Sequence, residues 1–154
     1  MTNRNKQLTL IALFPALLAV SAGIVIPLGS LPAITLQTFF VFLAALILPA
    51  KQAFLSILVY ILIGMIGLPV YSGYTGGIGI VLSKSAGFFI GFLVSAYIVN
   101  FMKNVKIINN DFVHLVIVLI VANLVIYILG AGYLSLIYKT NIWLYLASFL
   151  PYIV

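Results

Sequence analysis

Residues 112–136 read FVHLVIVLIVANLVIYILGAGYLSL, without one charged side chain. The run exceeds the roughly 20 mainly apolar residues that an α-helix needs to cross the hydrocarbon core of a bilayer. Asn123 sits near its middle, Tyr127 follows one turn on, and the only acid of the chain, Asp111, stands just before it. Outward from this segment the pattern repeats. Further apolar stretches lie at about 8–26, 34–49, 52–69 and 79–101, and a partial one at 141–154. The last has only about 14 residues, which at 1.5 Å per residue cannot cross a core of about 30 Å. A sixth helix cut short is therefore expected, with the natural protein continuing beyond Val154. The expected class is an all-α integral membrane protein, a single transmembrane domain over 1–154 with about six spans.

Composition points the same way. The chain is 66% hydrophobic and 5% charged, against about 25% charged residues in a soluble domain. Its net charge of +6 is spread over single, widely spaced lysines and Arg4, which suits membrane topology and not a phosphate-binding stripe, so no nucleic-acid partner is expected. The absence of cysteine removes disulfides, thiolate nucleophiles and cysteine-based metal sites, and no metal site is expected. The basic N-terminus MTNRNKQ is read as leading into an uncleaved first helix. With that end in the cytoplasm, Arg4, Lys6, Lys51, Lys103 and Lys106 fall on the inner side and Lys139 and Lys84 on the outer, as the positive-inside rule requires. The expected location is the cell membrane, multi-pass, with the lipid bilayer as surroundings. Two uncharged segments then face outward: IPLGSLPAITLQT at 26–38 and GLPVYSGYTGGIG at 67–79.

Small and polar residues within the spans mark candidate contact faces. Ala12, Ala16, Ala19 and Gly23 share one face of the first span, which suits either packing in the bundle or docking of another membrane protein. Gly79, Ser83, Gly87, Gly91 and Ser95 recur every four residues in the fourth, a pattern for tight helix packing. Thr35, Gln37 and Thr38 open the second span, and Ser56 and Tyr60 share a face of the third. Asn123 has two readings, an interhelical hydrogen bond or a ligand contact. Lys84 has two as well: snorkelling to the headgroups, or facing inward to an anionic ligand. One acid and one histidine make no carboxylate pair. Asp111 is expected to cap its helix and His114 to lie at the interface. No Gly-x-x-x-x-Gly-Lys-Ser/Thr loop occurs, so the chain is not expected to be an enzyme, and uphill transport would draw its energy from another subunit.

Several segments resemble the BioY family, the biotin-binding S components of energy-coupling factor transporters. Pro32-Ala33-Ile34-Thr35-Leu36-Gln37-Thr38 is similar to that family's Pro-Ile-Thr-Leu-Gln-Thr, with one extra residue after the proline. Gly64-Met65-Ile66-Gly67-Leu68-Pro69-Val70-Tyr71-Ser72-Gly73 resembles Gly-x-x-Gly-x-Pro-Val-Phe-x-Gly, continued by Gly76-Gly77. Ala86-Gly87-Phe88-Phe89-Ile90-Gly91-Phe92 is similar to Gly-Gly-Tyr-x-x-Gly-Phe, and Ala12-Leu13-Phe14-Pro15-Ala16 fits an Ala-x-x-x-Ala docking pattern. Two departures stand out. Ser83-Lys84-Ser85 replaces the family's Gly-Pro-Thr, and Phe149-Leu150-Pro151-Tyr152-Ile153-Val154 stops at the edge of a motif that supplies an aspartate and a lysine to biotin.

The resemblance implies a membrane-embedded biotin-capture subunit, with biotin as transported ligand and no cofactor. Its implied partners are a transmembrane coupling protein, docked on Ala12 and Ala16, and two ABC-type ATPase subunits. The expected pocket and lid comprise Thr35, Gln37, Tyr71, Gly73, Tyr74, Gly76, Gly77, Lys84 and Asn123. In the 67–79 loop, glycines allow positive φ and close approach to a ligand, while Tyr71 and Tyr74 offer flat apolar faces with a hydroxyl each. The rival readings are an S component for riboflavin or thiamine, and a small channel or structural subunit.

Overall fold

The structure, a computed structural model, describes residues 3–28, 31–105, 108–139, 141–143 and 145. The stretch 149–154, most of the expected partial span, and the Lys84 side chain lie outside the described residues. Helix α1 (Asn3–Ser21) leads into strands β1 (Val25–Leu28) and β2 (Leu31–Thr35), then α2 (Gln37–Ile47) and α3 (Ala50–Met65). A loop follows, then the short α4 (Ile78–Ile80), a π-helical turn (Val81–Ser85), α5 (Ala86–Met102) and α6 (Asp111–Tyr138). At 28 residues, α6 is about 42 Å long; it is long and apolar enough to cross a membrane by itself. The chain is thus mostly helical.

The uncharged segment at 26–38 contributes to an antiparallel pair of strands. Its strands pair antiparallel, Val25 with Thr35, Ile26 with Ile34 and Leu28 with Leu31. The residues Val25, Ile26, Ile34 and Thr35 are β-branched and favour extended backbone. The register slips between Ile26 and Leu28, where Pro27 has no N–H to give to a ladder. The second apolar run therefore starts its helix at Gln37 and not at residue 34.

Two prolines shape how the helices meet. Pro15 lies inside α1 and has no N–H, so the Ile11 carbonyl one turn earlier loses its helical donor. Ser56 of α3 supplies one from its hydroxyl, at 3.0 Å. Pro49, between α2 and α3, leaves the Ala45 carbonyl in the same state. There the Asn100 amide of α5 donates at 2.6 Å and the Lys103 ammonium at 3.1 Å, with a further bond from Lys103 to the Leu46 carbonyl at 2.9 Å. A cation also complements the negative end of the α2 dipole. Where no water is at hand, each orphaned carbonyl costs several kcal/mol unless a side chain from a neighbour meets it.

The core joins Phe14 and Leu18 of α1, Val41 and Ala44 of α2, Ile57 and Tyr60 of α3, Phe89, Phe92 and Ala96 of α5, and Ile126 of α6. Helices α5 and α6 approach most closely. A Cβ on Gly91 would stand 2.8 Å from the Ile126 Cα, and one on Gly87 would stand 2.4 Å from the Leu129 carbonyl oxygen. Gly87 and Gly91 of the small-residue stripe are therefore packing residues, as lipid-facing bundles require. Gly79 of the same stripe meets nothing within 4 Å.

The fourth apolar run is broken at Ser83 (φ −81°, ψ −139°), at the site of the departure Ser83-Lys84-Ser85. Beside the break, the Leu82 carbonyl accepts from the Tyr133 hydroxyl of α6 at 2.9 Å. Two expectations at the start of α6 are corrected. Asn110, not Asp111, is the cap, its side chain accepting from the Phe112 and Val113 amides, because Asp111 is already the first helical residue. His114 is buried, with Nε2 3.1 Å from the Met102 carbonyl of α5, because it sits one turn inside, on the face turned to α5. The outer face of α6 exposes Phe112, Val116, Ile120, Ile128 and Leu136, side chains suited to lipid.

Candidate functional site

The loop 66–77 and the helix ends around it form the candidate site. Gln37, the first residue of α2, turns its amide inward against the Tyr60 hydroxyl of α3. The same Gln37 amide reaches the Val70 carbonyl of the loop at 3.3 Å, and the Tyr60 hydroxyl donates to that carbonyl at 3.1 Å. One loop carbonyl is thus gripped from two helices. Gln37 and Tyr60 are both buried, so these bonds hold where unpaired groups would be costly.

Tyr71, next along, is only 2% exposed. Its hydroxyl donates to the Ile61 carbonyl at 2.5 Å. Its ring packs on Phe89 at 4.7 Å between centroids and edge-on to Tyr60 at 5.7 Å, geometries that favour aromatic pairs. Gly64 of α3 leaves the space that this ring fills, since a Cβ there would lie 2.1 Å from Tyr71 Cζ. Burial pushes the Tyr71 phenol up to about 12.

Beyond Tyr71 the loop doubles back. Tyr71 and Thr75 exchange backbone hydrogen bonds at 2.9 and 3.1 Å, and the Gly77 N–H reaches the Gly64 carbonyl at 2.7 Å. Gly73 (φ +71°) and Gly77 (φ +101°) adopt conformations that only glycine takes without strain, and Gly76 lies against the Leu68 carbonyl. The two lid tyrosines separate. Tyr71 is a buried buttress, whereas Tyr74 is 58% exposed at the tip.

The remaining expected residues fall in different places. Thr35 ends β2, half-buried beside Gln37. Asn123 is half-buried on α6, next to the buried Ala122, and makes no side-chain hydrogen bond with a described residue. Ala12 and Ala16 are exposed on α1, on a face that the bundle leaves open. Tyr60 and Phe89 complete the cluster; the signal for Tyr60 is a phenol sharing a face with Ser56 in an apolar span. At the other end of α2, Leu48, Pro49, Tyr97, Asn100, Lys103 and Asn104 line an open cleft of about 620 Å³. There burial lowers the Lys103 ammonium below its usual range.

Comparison with known proteins gives this arrangement a family. The BioY family profile matches residues 1–154. The chain belongs to the BioY family. A probable biotin transporter BioY of Pyrococcus horikoshii is 44% identical over 95 residues, covering 62% of this chain and 58% of that protein. Another of Lysinibacillus sphaericus is 40% identical over 142 residues, 92% of this chain and 70% of that protein. The chain thus spans less than two thirds of the Pyrococcus relative's length. Among solved structures, the S-component for biotin from an ECF-type ABC transporter superposes with a TM-score of 0.85 at 31% identity, over 97% of this chain and 83% of that one. Both curated relatives carry the name of biotin transporters.

Proposed function

We propose that this chain is the subunit that captures biotin from outside the cell for an importer driven by partner ATPases. The observation that carries the reading is the match, in fold and sequence, to an S-component for biotin, joined to family membership over the whole chain. The geometry supports it. A glycine-rich loop closes over the ends of α2 and α3, held by Gln37 and Tyr60. Thr35, Gln37, Gly73, Gly76 and Gly77 rim the pocket in this reading, and Tyr71 stiffens its wall. Lys84 and Asn123 are the further candidates for contact with biotin.

The exposed Ala12 and Ala16 face is the docking surface for a transmembrane coupling protein, which in turn carries two ABC-type ATPases. The chain lies in the plasma membrane with its N-terminus in the cytoplasm, a placement supported by the lysine distribution. Biotin is cargo, and the chain is a single membrane domain. The test is equilibrium binding of labelled biotin to the full-length protein in nanodiscs, competed with riboflavin and with thiamine. Tight binding displaced only by biotin is the expected result. Displacement by riboflavin or thiamine would reassign the cargo, and no vitamin binding by folded protein would overturn the capture role.

A further inference from the structure

Tyr74 and Gly23 meet in a way that the capture role does not require. Tyr74 holds φ at 55°, a left-handed backbone that a non-glycine residue rarely adopts. Such conformations persist only where the surroundings impose them. Here the tight turn closed between Tyr71 and Thr75 sets the backbone, and the segment that follows α1 packs against the side chain it presents. The Tyr74 ring lies over Gly23 so closely that a Cβ on Gly23 would stand 2.4 Å from the phenol oxygen and 2.6 Å from Cζ. Beside it, the Gly73 N–H donates to the Ala22 carbonyl at 2.9 Å. These two contacts tie the tip of the loop to the helix whose other residues, Ala12 and Ala16, are exposed.

The root of the loop is held differently. Val70 and Tyr71 are bonded to α2 and α3 through Gln37, Tyr60 and Ile61. Root and tip are therefore anchored to different helices. A displacement of α1 relative to α2 and α3 must either drag the tip across the pocket or break the Gly73–Ala22 bond.

We propose that Gly23 and Tyr74 form a latch through which the docking helix α1 controls the loop over the biotin site. Tyr74 is thus a positioning residue that faces α1 and not a ligand contact. Partner binding on the Ala12/Ala16 face, midway along α1, works the latch through the helix, lifting the loop when the cargo is to be released. This inference rests on the capture reading for its consequence, but the latch itself is testable without biotin.

The experiment uses the full-length protein in nanodiscs with Tyr74→Gly, Gly23→Ala and the double variant. Tyr74→Gly removes the ring and keeps a backbone at ease with positive φ. Hydrogen–deuterium exchange of the segment holding Gly73 reports the latch directly. Exchange there is expected to speed up at least tenfold in Tyr74→Gly, with the α5 and α6 segments unchanged. Unaltered protection at Gly73 would overturn the latch, whether or not biotin binds. For the wild type, biotin dissociation is expected to accelerate when the coupling protein and ATPases are added. In Tyr74→Gly the basal dissociation should already be about fivefold faster, and the partners should add little more. Gly23→Ala should act likewise, and the double variant should do no more than Tyr74→Gly alone, because both single changes break one contact. Additive effects, or a full partner response in Tyr74→Gly, would overturn the control role. Wild-type protein that binds no biotin would instead count against the capture reading, leaving the exchange result to judge the latch.

Discussion

At the scale of single residues, the structure turns on donors that arrive from elsewhere in the chain. Ser56 serves the carbonyl that Pro15 frees in α1. Ser56→Ala should lower stability by about 0.5–1.5 kcal/mol, measured by thermal unfolding in detergent, with biotin affinity unchanged; an unaltered unfolding midpoint would contradict the role assigned to it. Tyr60 acts at the site. Tyr60→Phe leaves the Gln37 amide with the Val70 carbonyl as its remaining acceptor, and that carbonyl with one donor in place of two. Biotin binding should weaken about tenfold, equivalent to about 1.4 kcal/mol, in an equilibrium titration. Full affinity in this variant would show that the grip on the loop does not shape the pocket. The motif around 64–73 made the loop legible from the sequence. Which of its tyrosines points inward was not, because Tyr71 and Tyr74 are chemically alike and only the space left at Gly64 and at Gly23 separates them.

At the scale of elements, α5 and α6 form the tightest pair. Gly91→Ala places a methyl group 2.8 Å from backbone of the neighbouring helix, which cannot yield as a side chain tip would. A loss of about 1–3 kcal/mol is expected from such overpacking. Gly79→Ala, on the same four-residue stripe, meets open space and should stay within about 0.5 kcal/mol of wild type. Thermal unfolding of the two variants side by side checks both. Equal midpoints would mean that the stripe has no packing role. The regular spacing of these small residues was visible in the sequence, but it treated Gly79 and Gly91 alike. The break at Ser83 is what divides them, since it turns the run before it off the axis of α5.

At the scale of the whole molecule, the proposed role joins capture to transport through one exposed face of α1. The Ala12/Ala16 face is exposed while the rest of α1, through Phe14 and Leu18, is sunk in the core. A bulky pair, Ala12→Trp with Ala16→Trp, should spare biotin binding, because neither residue touches the site. Uptake by cells, and co-purification with the coupling protein and ATPases, should fall to background. Intact co-purification would remove this face from the interface.

The sequence by itself determined the solvent of the fold. A chain that is 66% hydrophobic buries its backbone polarity in helices wherever it meets lipid, and hydropathy, being a local property, can be read along one dimension. The family was legible for the same reason, in short contiguous motifs. The tertiary structure alone decided the partners. Ser56 finds Ile11 across 45 residues, and Asn100 finds Ala45 across 55. A carbonyl left open by a proline states that a donor is needed and not where it comes from. The hairpin at 25–35 followed from the same limit: apolar β-branched residues suit a membrane helix end or a strand, and the pairing partner settled which.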